Sequence, residues 1–267
     1  MNGAPDKHCV LVFAGADPSG GAGIQADIEA ISALGAHALP VITLLTVQDN
    51  ERVFALHPVP ADVVRQQALA LIGKVRIAAV KIGALGTREN AQAVAELVAQ
   101  MKIIQPDLPV VLDPVLASGR GDALAAGDAV AAIFDLRSIA TLITPNLPEA
   151  MALSGTQEPL AQMKALLEFA PHVLLKGGHA QGAQVENLWR HGGESRSWRW
   201  PRLAGGFHGS GCTLASAIAA LLACGQAMPD ALDLAQRFCH ESLANSYSIA
   251  PGQRIPNRTI SRTKEKA

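Results

Sequence analysis

Short apolar runs alternate with stretches of helical period along most of the chain. Residues 9–14 are uniformly apolar with β-branched members and stop at Gly15, which predicts a buried strand. A loop rich in glycine follows, and then Ile24, Ile28, Ile31 and Leu34 mark one stripe of a helix over 24–34 that Gly35 stops. The pattern repeats with a strand at 38–47, a helix at 60–75 opened by Pro60, and a strand at 78–82 closed by Gly83. Thr87 caps a helix running to about Gln100, with Glu89 in its first turn. Strands at 109–112, 142–143 and 172–176 alternate with helices at 126–136 and 159–169. The texture then changes to an antiparallel pair, 185–190 and 197–201, around Gly192-Gly193. Residues 214–224 form a helix apolar on every side, and a last helix runs from Pro229 to about Ile249.

Strands that alternate with helices predict the α/β class: a central, mostly parallel β-sheet with helices on both faces. No linker or internal repeat divides residues 1–267, so a single domain is expected. Ligands in such folds sit beyond the carboxyl ends of the strands, where the strand order switches. Asp17, Gln48, Lys81, Asp113, Asn146, Glu149 and Lys176 all fall at or just past strand ends.

Composition narrows the partners. The chain is 49% hydrophobic and 17% charged, enough for a sizeable core. Its 22 basic and 23 acidic residues nearly cancel, so neither nucleic acid nor a membrane surface is expected as a partner. The apolar part of 214–224 is too short for a membrane span. Cys9, Cys212, Cys224 and Cys239 lack any C-x-x-C spacing, which argues against a zinc site or disulfide framework and suits a reducing cytoplasm. Residues 1–8 are too polar for a signal peptide, and the basic segment from Arg258 onward is expected to fray as a tail.

The chemistry concentrates in two glycine loops. Residues 205–213 run directly into the buried helix, so Gly209, Ser210 and Gly211 offer free N–H groups to an anion at a positive helix end. Cys212 stands in that first turn, where a thiolate is favoured. Lys176 can neutralise phosphate, and Asp113 and Glu149 are candidate Mg²⁺ ligands. Together these groups suit phosphoryl transfer, which needs positioning and charge neutralisation. A plain turn for the glycines, and caps for Asp113, Asn146 and Glu149, are the bland alternatives. The first loop is no Walker A loop, since no Gly-Lys-Ser/Thr follows. Gly21-x-Gly23-x-x-Ala26 approaches a dinucleotide fingerprint, yet nothing acidic lies between Glu29 and Asp49 where the ribose ligand belongs.

The segment AGADPSGGAGIQAD at 14–27 resembles the N-terminal motif of the hydroxymethylpyrimidine/phosphomethylpyrimidine kinases of thiamine biosynthesis. The resemblance continues through SALG at 32–35, VIT at 41–43, VQ at 47–48, VKIG at 80–83, LDPV at 112–115 and TPNLPEA at 144–150. It then takes in LKGGH at 175–179 and HGSGCT at 208–213, and so covers nearly the whole chain in order. It implies a ribokinase-like fold and two ATP- and Mg²⁺-dependent steps. The first phosphorylates the hydroxyl of 4-amino-5-hydroxymethyl-2-methylpyrimidine, and the second converts the monophosphate to the diphosphate. By position it assigns Gly15, Ala22, Asp27 and Gln48 to the pyrimidine pocket, Gly209 to Cys212 to the anion hole, and Lys176, Asn146 and Glu149 to the nucleotide and metal side. An amide such as Gln48 offers both donors and an acceptor to an aminopyrimidine edge.

Cys212 stands where sugar kinases of the wider superfamily carry an aspartate base. A partly ionised thiol there would take the substrate proton in the first step only, so Cys212→Ala is expected to hurt that step most. Departures from the family's pattern include Ala84 in place of methionine, which opens space against the pyrimidine. Residues 116–122 resemble a flap without its usual lysine. Pyridoxal kinase is the neighbouring alternative, and a catalytically idle pyrimidine binder is a second. The hairpin at 185–201 and the apolar surplus are compatible with a homodimer.

Overall fold

The computed structural model describes residues 7–117, 121, 122, 124 and 128–259. Their strands form one sheet in the order β3-β2-β1-β4-β5-β6-β7-β8-β9. These are β1 (Cys9–Ala16), β2 (His37–Gln48), β3 (Val53–Pro58), β4 (Ile77–Ile82), β5 (Val110–Leu112), β6 (Leu142–Ile143), β7 (His172–Leu175), β8 (Gln184–His191) and β9 (Glu194–Pro201). Pairing is parallel from β2 through β1 and β4 to β7. It is antiparallel at both edges, where β3 lies on β2 and the β8–β9 hairpin lies on β7.

Alternation along β1 builds two cores. Leu11 and Phe13 point into one, with the inward residues of α2 (Ala61–Ile72), α3 (Arg88–Ile104), α4 (Ala129–Phe134), α5 (Leu147–Ser154) and α6 (Pro159–Leu167). Val10, Val12 and Ala14 point into the other, with α1 (Gly23–Ala33), α7 (Ser210–Ala223) and α8 (Met228–Ala244). Truncating a side chain as buried as Phe13 to alanine would cost about 3–5 kcal/mol. From β1 the chain moves outward to β2 and β3, then returns to β4 on the other side of β1. The strand order therefore switches between β1 and β4, and a crevice opens at their carboxyl ends.

Three expectations change. The strand β3 was not anticipated; it is a short edge strand whose residues stay half-buried or exposed, so its pattern is weak. The last helix ends at Ala244, and the chain doubles back. Tyr247 and Ile255 pair in both directions (3.0 and 2.8 Å) in this return. Arg258 is therefore not in a frayed tail but is fully buried. The expected start of the helix at 126–136 and the centre of the 116–122 flap lie outside the described residues.

Candidate active site

The crevice is a cavity of about 470 Å³. The β1–α1 loop forms one wall. The buried Asp17 carboxylate accepts from Ser19 N (2.8 Å), Ser19 Oγ (3.0 Å) and Ala22 N (2.7 Å), which folds the loop into a tight turn. Nε2 of His208 meets the same carboxylate at 2.8 Å. Burial opposes ionisation of Asp17, but His208, Ser19 and Gln48 outweigh it and hold its pKa at about 2. Gly15 near the end of β1 and Ala22 of the turn line the cavity, beside Gln48 at the end of β2 and Ala84 past the end of β4. Thr43 Oγ donates to the Ala84 carbonyl (2.7 Å) and fixes that backbone.

The anion hole faces this wall. Gly209 caps α7 with φ +79°, and a Cβ there would run into the Gly21 carbonyl. Glycine is thus required both for the turn and for the close approach of the two loops. The first N–H groups of α7, at Ser210, Gly211 and Cys212, need partners from outside the helix. Lys176 lies just past β7, and a Cβ on Gly211 would stand 3.2 Å from its Nζ. That ammonium donates to Asp113 Oδ1 at 2.7 Å, and Thr144 Oγ reaches the same oxygen at 3.2 Å. Burial works against the Lys176 charge, but Asp113 and Glu149 raise its pKa above the ordinary lysine value.

Asn146 and Glu149 form a capping box at the start of α5. Asn146 Oδ1 accepts from Glu149 N (2.9 Å), and Asn146 N donates to Glu149 Oε2 (2.8 Å). The cap and the site coincide, since both residues also line the cavity. Burial, countered by Lys176 and reinforced by Asp113, pushes the Glu149 carboxyl up to about 7. Among the described residues no group of three or more His, Cys, Asp or Glu side chains is disposed to hold a metal ion.

Two candidate residues stand differently from the expectation. Asp27 does not line the cavity. It is fully buried, with Lys81 Nζ 2.9 Å from both carboxylate oxygens and Ser216 Oγ at 2.6 Å. Asp27 therefore holds Lys81, and Lys81 is the member of the pair that reaches the cavity wall. Burial opposes the Lys81 charge, but Asp27, Cys212 and Asp113 outweigh it and raise its pKa above the ordinary lysine value. Cys212 is half-buried against the cavity. Burial drives its thiol up to about 11, against the pull of Lys81 and a backbone N–H at Gly23, so it is protonated at neutral pH.

Sequence reasoning passed over an aromatic part of the cavity lining. Trp200 of β9 and His240 of α8 stack there, ring centroids 5.1 Å apart, beside Arg202 and Leu243. No local pattern brings β9 and α8 together. His208 was visible in the HGSGCT motif, but its bond to Asp17 was not.

A family model described as phosphomethylpyrimidine kinase matches residues 17–257. The chain belongs to the phosphomethylpyrimidine kinase family. A hydroxymethylpyrimidine/phosphomethylpyrimidine kinase of Streptomyces coelicolor is 38% identical over 251 residues, 91% of either chain. One from Salmonella typhimurium is 38% identical over 92% of this chain and 94% of its own. Among solved structures, the phosphomethylpyrimidine kinase of Clostridium difficile superposes with TM-score 0.74 and 31% identity, covering 88% of this chain and 99% of its own. The Staphylococcus aureus pyridoxal kinase in complex with AMP-PCP and pyridoxal gives TM-score 0.83 at 27% identity, with 97% and 96% covered. The fold of this phosphomethylpyrimidine kinase family member is thus ribokinase-like, as its sequence motifs implied.

Proposed function

We propose that the protein transfers the γ-phosphoryl group of ATP to the hydroxyl of 4-amino-5-hydroxymethyl-2-methylpyrimidine, and then to the resulting monophosphate. The observation that carries this reading is the juxtaposition of the Gly209–Cys212 turn with Lys176 and Asp113, in one cavity that Gln48 and Gly15 also line. Free N–H groups and an ammonium converge where charge builds on the transferring phosphoryl group. The family relationship supplies the substrate class.

Gly15, Ala22, Gln48 and Ala84 bind the pyrimidine, with the Gln48 amide reading its polar edge. Asp27 contributes from behind by holding Lys81. The Trp200–His240 end takes the adenosine, and Lys176 and Asn146 take its phosphates. An ATP analogue bound to a relative of the same fold supports that use of the cavity. Mg²⁺ fits the site: Asp113 and Glu149 are two carboxylates beside a phosphate path, and magnesium keeps waters and substrate oxygens as its remaining ligands. When bound, it neutralises charge on the phosphates. The Cys212 thiol packs against the acceptor in its neutral form, since a loose phosphoryl-transfer transition state needs little help from a base.

Four free cysteines suit a reducing cytoplasm, and no helix of the described residues is long and apolar enough to cross a membrane. Pairing into a homodimer would use the exposed Leu45, Val47 and Phe54 of β2–β3, because the outer strand of the β8–β9 hairpin is mostly polar and exposed.

Incubation with ATP, Mg²⁺ and hydroxymethylpyrimidine, with pyridoxal in parallel, tests the reading by mass. Mono- and then diphosphate of the pyrimidine is the expected result. Phosphate on pyridoxal alone would transfer the assignment to the neighbouring pyridoxal kinases, whose fold the protein shares.

A further inference from the structure

The last described segment carries a buried charge that the proposed chemistry does not use. Arg258 is the largest fully buried side chain among the described residues. Its Nε donates to Thr213 Oγ at 2.8 Å, and one terminal nitrogen donates to the Gly21 carbonyl. The other terminal nitrogen meets Glu29 at 3.1 Å. Thr213 directly follows Cys212 in the first turn of α7, and Gly21 lies in the β1–α1 loop. One planar guanidinium thus joins the substrate wall to the anion hole. The family match ends one residue earlier, at 257.

The surrounding segment reinforces the same two loops. His208 N donates to Arg254 O and Arg254 N to Gly206 O, both at 2.9 Å. Ile255 is buried so close to Gly21 that a Cβ on that glycine would stand 2.8 Å from its Cδ1. Asn50, in the β2–β3 turn just past Gln48, donates to the carbonyls of Pro251 (3.2 Å) and Gln253 (3.0 Å). The returning chain therefore ties together three loops that come from distant parts of the sequence.

We propose that Arg258 is a positioning residue for phosphoryl transfer, holding the β1–α1 loop and the first turn of α7 at their working separation. A buried arginine stripped of its partners would be costly, so its three acceptors confine it to one place. Its fork is rigid, and a lysine cannot span the same three oxygens. Transfer between two bound substrates is sensitive to the spacing of the groups that hold them, and a misplacement of about 1 Å costs on the order of 100-fold. The inference rests on the kinase reading for its kinetic consequence, but its structural consequence can be measured without turnover.

Arg258→Lys keeps charge and stem and is the first variant to make. In the full-length protein its kcat should fall about 10- to 100-fold, with KM for ATP and for the pyrimidine within about threefold of wild type. Glu29→Gln, which removes only the half-exposed partner, should leave kcat within about threefold. Amide hydrogen exchange should accelerate at residues 17–23 and 209–213 in Arg258→Lys and stay unchanged in the central strands. In Arg258→Ala, millimolar guanidinium should restore part of the lost rate. An unchanged kcat in Arg258→Lys, or a loss that appears only in KM, would overturn the proposal. So would exchange that rises evenly over the whole protein, which marks a purely structural role. Failure of the wild type to phosphorylate either vitamin precursor would sink the kinase reading, while the exchange pattern would still decide the role of Arg258.

Discussion

Asp17 and His208 stand 191 residues apart in sequence, yet their side chains meet at 2.8 Å beside the cavity. This contact locks the β1–α1 loop to the loop that precedes α7. Its carboxylate half also closes the turn through Ser19 and Ala22.

Asp17→Asn keeps the shape but removes the charge. It should cost about 1.5–3 kcal/mol of stability, the range for hydrogen bonds to a charged group. The folded pKa of about 2 lies below the ordinary 3.8, so the charged Asp17 stabilises the fold above the ordinary value, and this is lost as pH falls towards about 2. Denaturant unfolding between those values should therefore show a steeper loss in wild type than in Asp17→Asn. Parallel curves would mean that the pair contributes nothing to stability.

Cys212 should act as a neutral thiol. Cys212→Ser should lower the first and second phosphorylations by similar factors, each about tenfold or less. Alkylation of Cys212 should stay slow at neutral pH and quicken only as the pH approaches the thiol's raised value. A loss confined to the first step would instead restore a general base at this position.

Lys176→Met should reduce kcat by about 10²–10³-fold, the usual effect of removing one donor to developing charge. It also strips Asp113 of its 2.7 Å partner and takes the counter-charge from Glu149. The Glu149 carboxyl should then titrate above its present value of about 7, which carboxyl NMR would read directly. A Glu149 titration left in place would show that Lys176 does not govern it.

The raised Glu149 carboxyl makes the proposed metal role testable by pH. Its folded pKa, about 7, lies above the ordinary 4.5, so stability from this group is full below the ordinary value and declines as pH rises through about 7. Glu149→Gln retains a capping-box side chain and should flatten that decline. In wild type, the Mg²⁺ concentration needed for half-maximal rate should rise as pH falls through 7, because protons compete with the ion. The same profile in Glu149→Gln would remove Glu149 from the metal side.

The sheet was legible because its signals are short in range. Uniform apolar runs such as 10–13 mark strands buried on both faces, and glycine or proline beside them marks the ends. Most candidate site residues were legible for the same reason: a parallel strand delivers the residue past its carboxyl end to the crevice, as at Gln48, Asp113 and Lys176. The edge strand β3 escaped, since half-exposed residues carry little pattern.

Local patterns along the chain were enough for the α/β class, the glycine loops, and the residue types that line the crevice. Tertiary structure alone decided which of those groups face it and in what charge state. Asp27 turns inward because Lys81 and Ser216, 54 and 189 residues away, close over it. Cys212 keeps its proton because the packed cavity wall desolvates it more than Lys81 and the nearby N–H can offset. Arg258 leaves the basic tail because three oxygens wait for it between two loops. Periodicity and turn chemistry act over a few residues, whereas desolvation and ion pairing depend on whatever the fold brings alongside.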